Sequence, residues 1–166
     1  MYAGYELCES VARPGAEEHI DSEKYEYRPR DWQGAEASGR SIASYISKLN
    51  QIRVAHPAVR QLRNIEFHNT DDTAILAFSK HLAAEHSPNG KSDTILVVAN
   101  VDPHAVRETT VHLDLAKLGF NPGARFEVTD LITGENYIWT TDNFVRLDSF
   151  KEPVHVFSVG KEVKSA

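Results

Sequence analysis

Thr94-Ile95-Leu96-Val97-Val98-Ala99 is a short, unbroken apolar run, bounded downstream by the turn-forming Asp102-Pro103-His104. It reads as a buried strand. Upstream, Thr73-Ala74-Ile75-Leu76-Ala77-Phe78-Ser79 is a second compact run, separated from the first by the turn signal Ser87-Pro88-Asn89-Gly90. Downstream, Val111-His112-Leu113-Asp114-Leu115 and Arg125-Phe126-Glu127-Val128-Thr129-Asp130-Leu131 alternate apolar and polar residues. Thr133-Gly134, the strand-like Asn136-Tyr137-Ile138-Trp139-Thr140, Phe144-Val145-Arg146-Leu147 and Val154-His155-Val156-Phe157-Ser158-Val159 complete the series. The β texture begins near Ile65. Roughly seven or eight short strands at this spacing predict an antiparallel sandwich. The stretch from Leu113 to Leu118 reads either as strand or as a helical turn within a connection.

Ahead of the strands lies one amphipathic helix. Ile42, Tyr45, Ile46, Leu49 and Ile52 fall at the i, i+3, i+4, i+7 spacing of one apolar face. Ser38 or Ser41 can cap its start, and Pro57 ends it with His56 pushed out of helical geometry. Nothing N-terminal to this helix supplies a surface for its stripe. Residues 1–38 are polar and carry no sustained apolar period. So long a segment without secondary structure is, inside a compact domain, usually a functional loop or a disordered arm. Tyr25, Tyr27 and Trp32 argue against disorder, because such rings seek partly buried sites.

Composition narrows the function. A hydrophobic fraction of 41% and a charged fraction of 25% are those of a globular chain, not a disordered one. The net charge of -6 and the lack of a dense Lys/Arg run exclude a nucleic-acid footprint and give no purchase on an anionic membrane. The longest apolar stretch, Ile95 to Ala99, is far too short to span a bilayer, and Met1 to Glu6 lack the pattern of a signal peptide. Cys8 is the single cysteine, which excludes an internal disulfide and fits a reducing cytoplasm.

Among candidate chemical groups, the eight histidines show no metal-ligand spacing, so surface or turn roles are expected and no metal is assigned. Tyr137 and Trp139 share one strand face, as a core pair or as a sugar-stacking platform. The early loop is richer. Tyr5-Glu6-Leu7-Cys8-Glu9 and Asp21-Ser22-Glu23-Lys24-Tyr25 combine carboxylates, a lysine and aromatic rings. That combination suits sugar recognition, with rings against apolar sugar faces and charged groups on hydroxyls, or else an ordinary solvated loop.

The segments Tyr2-Ala3-Gly4-Tyr5-Glu6-Leu7-Cys8-Glu9, Glu17-Glu18, Asp21-Ser22-Glu23-Lys24-Tyr25 and Tyr27-Arg28-Pro29-Arg30-Asp31-Trp32 carry a resemblance. So do Leu49-Asn50-Gln51-Ile52-Arg53, His56-Pro57-Ala58 and Ile75-Leu76-Ala77-Phe78-Ser79-Lys80. Together they resemble the bacterial α-1,4-glucan:maltose-1-phosphate maltosyltransferases of the α-amylase superfamily. The resemblance implies an antiparallel Greek-key β-sandwich preceded by the last strand, loop and helix of a (β/α)8 barrel. Residues 1–58 would close the barrel, with Tyr2 to Glu9 forming the end of its eighth strand and the start of the loop after it, and Ser41 to His56 forming its eighth helix. Residues 59–166 would be the C-terminal sandwich. An absent barrel would then explain the helix face that has no partner.

The implied reaction is retaining transfer of maltosyl from maltose 1-phosphate to the non-reducing end of an α-1,4-glucan, with release of phosphate. Retention needs a carboxylate nucleophile and an acid/base about 5 Å apart. By the resemblance these come from earlier barrel strands, so no catalytic residue is assigned here, and Asp21 and Glu23 are not given those roles. The resemblance implies that Lys24 donates to sugar hydroxyls in the maltosyl pocket, with Glu23 and Tyr25 beside it, while Glu6 and Glu9 shape the loop. Glu18-His19-Ile20 departs from the family's acidic, aromatic-flanked pattern. No cofactor is implied. The partners would be maltose 1-phosphate and α-1,4-glucan, with the full-length enzyme a cytoplasmic homodimer and the chain a C-terminal segment of it.

Overall fold

The computed structural model describes residues 4–20 and 27–163. Contacts divide the chain into two compact units, Met1–Gln51 and Ile52–Ala166, with the division falling inside a helix. Among the described residues, no helix is long and apolar enough to cross a membrane.

The first unit holds a 3-10 turn at Tyr5–Leu7, a short helix α1 at Trp32–Ala37 and most of α2, Ala43–Ala55. Of the segment Tyr2 to Glu9, expected to end a strand and begin a loop, residues 4–9 are described and contain the 3-10 turn, and residues 1–3 lie outside the described residues. The sequence gives no sign of α1, because six residues are too few to show a period. Its start is fixed instead by Asp31, whose carboxylate accepts the N–H of Gly34 at 2.8 Å. Of the two candidate caps for α2, Ser41 acts, its Oγ accepting the N–H of Ala43 at 3.2 Å. Ser38 instead closes α1, donating to the carbonyl of Gly34. Of the expected apolar stripe only Ile52 is buried; Leu49 is exposed and Ile42, Tyr45 and Ile46 are half-buried. His56 is extended, and Pro57–Arg60 forms a 3-10 turn.

The second unit is the antiparallel sandwich. Its strands are β1 Ile65–Thr70, β2 Ile75–Leu82, β3 Asp93–Asn100, β4 Arg107–His112, β5 Phe126–Asp130, β6 Asn136–Trp139, β7 Asp142–Leu147 and β8 Val154–Glu162. They follow the order β6-β5-β8-β3-β2-β1-β4-β7. Within it, β4-β1-β2-β3 is the spatial signature of a Greek key, the fourth strand returning to lie beside the first. β1 turns the corner: Ile65 to His68 pair with β2, whereas Asn69 and Thr70 pair with β4. Within Leu113 to Leu118, Leu115–Leu118 forms a 3-10 turn, with Asp114 accepting the N–H of Ala116.

Folding the sheet over brings Val111, Val145 and Leu147 from β4 and β7 against Leu96, Val98, Phe126, Val128 and Phe157 from β3, β5 and β8. The other face of β3 builds a smaller cluster, in which Ile95 and Val156 pack with Ile52, Val59, Leu131 and Ile132. β3 is therefore covered on both sides, which is why its sequence is a continuous apolar run. A polar knot pins the chain onto this second face. Asp93 pairs with Nδ1 of His56 at 2.8 Å and accepts the N–H of Ala58 at 2.9 Å. Asn64 Nδ2 donates to the carbonyls of Ala58 and His81.

Two outcomes follow for stability. Phe126 is fully buried and stacked on Phe120 with centroids 4.5 Å apart, so Phe126→Ala is expected to cost about 3–5 kcal/mol in urea denaturation. Burial raises the Asp93 carboxyl, but the hydrogen bonds from His56 and Ala58 outweigh it and leave the group below its ordinary value of 3.8. A carboxyl depressed by folding stabilises the fold above its unfolded pKa, and that contribution disappears as pH falls through the folded one. Asp93→Asn is expected to lower stability at neutral pH and to flatten the acid decline below about pH 4. An unchanged acid limb in urea titrations would exclude Asp93 as a source of that decline.

Candidate functional site

The expected sugar-binding residues Glu23, Lys24 and Tyr25 lie outside the described residues, within the segment 21–26. The chain on either side of that segment forms a braced frame. Gly4 adopts φ 95, and its carbonyl accepts the N–H of Leu7 at 3.0 Å, closing the 3-10 turn. Cys8, at φ 54, then turns the chain so that Glu9 meets Arg30. Arg30 donates twice to the Glu9 carboxylate, Nε to Oε1 at 2.9 Å and Nη2 to Oε2 at 3.1 Å. Such a bidentate pair adds fixed geometry to its charge attraction. The Arg30 hydrogen bond holds the Glu9 carboxyl below the usual range against a smaller desolvation cost, and the Arg28 charge adds to it.

Arg28 sits 3.7 Å from Glu9 and donates to the carbonyl of Ile20 at 3.4 Å. Residues on the two sides of the segment 21–26 are thereby brought together. A tight turn precedes it: Arg13 N–H donates to Glu18 O at 2.8 Å, Ile20 N–H to Val11 O at 2.8 Å, and the Arg13 and Glu18 side chains pair. Among the described residues, Oε2 of Glu6 is buried without a hydrogen-bond partner. Glu9, read from sequence as a loop-shaping residue, is the acceptor at the centre of this frame. The arginines that hold it had no signal of their own, since Arg30 lies 21 residues away.

A second constellation lies in the sandwich unit. Asp130 is fully buried at the end of β5, and His155 on β8 donates Nδ1–H to its Oδ2 at 2.8 Å. Backbone N–H groups of Ile132 and Val156 satisfy Oδ1. Burial pushes this carboxyl up, yet these hydrogen bonds prevail and keep it below its ordinary value. Glu152 is tuned the other way, raised by burial and by the Asp130 charge. Asp130, Glu152 and His155 each place a donor atom within 4.8 Å of the others. Both Asp130 oxygens and His155 Nδ1 are already engaged within the protein, so the arrangement is that of a hydrogen-bonded cluster. Sequence spacing could not reveal it, because the partners are 25 residues apart.

Trp139 is buried and packs on Phe157 with centroids 4.7 Å apart, whereas Tyr137 is half-exposed and meets the same ring edge-on. Of the two readings of this pair, Trp139 takes the core and Tyr137 the surface. The histidines are not confined to surfaces and turns. His68 is buried and paired with Ser79 at 2.8 Å, a cross-strand contact that its polar strand face conceals in sequence.

Fold and site define an antiparallel β-sandwich domain preceded by a braced frame and a helix. The family model described as "GLGE, C-terminal" matches residues 67–159, more than half of the chain. The chain belongs to that family. It is 51% identical over 158 residues to the alpha-1,4-glucan:maltose-1-phosphate maltosyltransferase of Corynebacterium glutamicum, a match covering 95% of this chain and 22% of that protein. To maltosyltransferase 2 of Streptomyces coelicolor it is 44% identical, covering 100% of this chain and 24% of the relative. The Mycolicibacterium smegmatis protein of the same name is 46% identical over 160 residues, 96% of this chain and 22% of its own length. The chain thus spans under a quarter of the length of these relatives.

The frame makes a specific prediction. A Cβ on Gly4 would clash with the Glu9 carboxylate and stand 2.9 Å from Arg30 Nε, whereas one on Gly15, also at positive φ, meets nothing within 4 Å. Gly4→Ala is expected to abolish hydrogen-exchange protection of the Leu7 and Ile20 N–H groups, while Gly15→Ala leaves Leu7 protected. Equal behaviour of the two variants would show that the close approach of Glu9 does not hold the frame.

Proposed function

We propose that this chain is the C-terminal part of an α-1,4-glucan:maltose-1-phosphate maltosyltransferase, which transfers maltosyl with retention from maltose 1-phosphate to the non-reducing end of α-1,4-glucans and releases phosphate. The observation that carries this reading is the 51% identity extending over 95% of the chain, the loop included and not only the sandwich. In this reading residues 1–58 complete the catalytic barrel and residues 59–166 form the sandwich that follows it. The half-covered stripe of α2 supports this division, since such a face belongs against a further layer.

Lys24 is the proposed donor to sugar hydroxyls in the maltosyl pocket, with Tyr25 and Glu23 beside it. Support comes from the frame: Glu9, Arg28 and Arg30 hold together residues that flank the segment 21–26. The two catalytic carboxylates of a retaining mechanism are placed in preceding barrel strands. The single cysteine fits a reducing cytoplasm, and by the family resemblance the assembled enzyme is a homodimer.

Two measurements test this. The 166-residue chain alone is expected to release no phosphate from maltose 1-phosphate; turnover by it would overturn the placement of the carboxylates. Substituting this chain for the matching part of the Corynebacterium glutamicum enzyme is expected to preserve maltosyl transfer. Lys24→Ala in that chimera should then raise KM for maltose 1-phosphate by about tenfold or more, the loss of one charge-assisted hydrogen bond. A folded but inactive chimera would refute the proposed function, and an unchanged KM would remove Lys24 from the pocket.

A further inference from the structure

The two free edges of the sandwich, β6 and β7, are consecutive in the chain and joined through Thr140 and Thr141. Asn143 clamps this corner, its Oδ1 accepting the Thr140 N–H and its Nδ2 donating to the Thr140 carbonyl, both at 2.8 Å. Beside the corner lies a cleft of about 280 Å³, whose lining includes Tyr137 and Trp139 of β6, Phe144 of β7, and Glu152 and His155. Its volume lies just below the roughly 300–1,000 Å³ range of small-ligand sites.

The cleft has two kinds of wall. Phe144 is 67% exposed, and Tyr137 is held in place by its hydroxyl, which donates to Glu135. Phe157 braces Tyr137 edge-on and His155 face-on, at 6.0 and 5.1 Å. Between these rings stand polar groups with unused capacity. Among the described residues the Glu152 carboxylate and the Trp139 indole N–H have no hydrogen-bond partner, and His155 uses only Nδ1, leaving Nε2 open. Free donors and acceptors in a cleft that also has exposed rings match a ligand that carries hydroxyls at its rim and C–H groups on its face. Arg146, which also lines the cleft, is paired with Glu108 at 3.0 Å, and Asp130 is paired with His155. Among the described residues the cleft then holds acidic groups and no unpaired cation, which disfavours anions.

We propose that this cleft binds a neutral saccharide, with the rings of Tyr137 and Phe144 against the sugar face and Glu152, Trp139 and His155 on its hydroxyls. It is separate in sequence from the loop that carries Lys24, and no lysine is among the described residues that line it. The choice of an α-1,4-linked probe rests on the proposed function; the cleft chemistry does not.

The chain contains two tryptophans, Trp32 and Trp139, which gives a clean readout. In ¹⁵N-edited spectra of the full chain, maltotetraose is expected to shift the Trp139 indole signal saturably and to leave Trp32 unmoved. Phe144→Ala should weaken that response about tenfold without lowering the melting temperature, since the ring is exposed. Glu152→Gln, which keeps hydrogen-bonding capacity, should bind within about twofold of the parent, while Glu152→Ala loses most of the response. Lys24→Ala should leave the Trp139 response intact. Maltose 1-phosphate should shift it less than maltose does. No saturable Trp139 shift with maltotetraose, or a shift insensitive to Phe144→Ala, overturns the proposal. So does a response lost in Lys24→Ala, which would put the sugar on the loop and leave the proposed function standing. Concentration-dependent self-association at Tyr137 and Phe144 without any sugar response would also overturn it, making the cleft a contact between copies.

Discussion

Burial of β3 on both faces is the constraint from which the rest of the sandwich follows. A strand in the middle of a sheet can present one wet face, as most antiparallel strands do, but Ile95 and Val97 on one side and Leu96 and Val98 on the other leave β3 none. One face is satisfied by folding the sheet over, which requires β1 to switch partners partway along its length, from β2 to β4. The other is satisfied in part by the chain just before the sheet, through Ile52 and Val59, and in part by Leu131 and Ile132. The attachment of that chain is polar as well as apolar. Asp93 sits at the first residue of β3 and receives both His56 and the Ala58 N–H, so the strand that needs the cover also holds it in place.

That arrangement displaces difficulty to the edges. A sheet folded over without closing leaves two edge strands, and here they are neighbours in sequence, which concentrates both at one corner. Asn143 satisfies the backbone there, and Trp139 fills the core end of the gap. Short edges and charged residues such as Arg146 limit pairing with another chain. What is left is a concave surface with aromatic walls, a common outcome wherever two layers part. A ligand-binding reading depends less on that concavity than on the unspent hydrogen-bonding groups within it.

Most of the sandwich was legible because its signals are local. The apolar run of β3, the alternation of β5 and the Ser87 to Gly90 turn each fall within a few residues. β1 was legible only as a change of texture. Its apolar residues Ile65 and Phe67 face outward, 40% and 63% exposed, while the buried position belongs to His68. An inverted strand of this kind has the right period and the wrong sign. The helix α2 showed a stripe, but period alone cannot say what covers it, and only Ile52 is buried. The candidate sites were less legible still. Glu9 with Arg30 and Asp130 with His155 are pairs created by topology across 21 and 25 residues, and neither spacing belongs to a recognisable motif. Glu23, Lys24 and Tyr25 were read from resemblance, a different kind of warrant from geometry.

The carboxylates show how structural and available groups differ within one chain. Glu9 and Asp130 have both oxygens engaged, by Arg30 in one case and by His155 with two backbone N–H groups in the other, and both are held in the ionised form. Such a carboxylate has nothing left to offer a ligand, and removing its partners would leave a buried or half-buried charge uncompensated. Glu152 stands within 4.8 Å of Asp130 and His155, lacks those donors among the described residues, and is pushed towards its protonated form. Two acids of similar chemistry are thus driven apart by environment alone, one becoming scaffold and the other remaining open. Chemical availability in this domain is set by which hydrogen-bonding positions the fold has already filled.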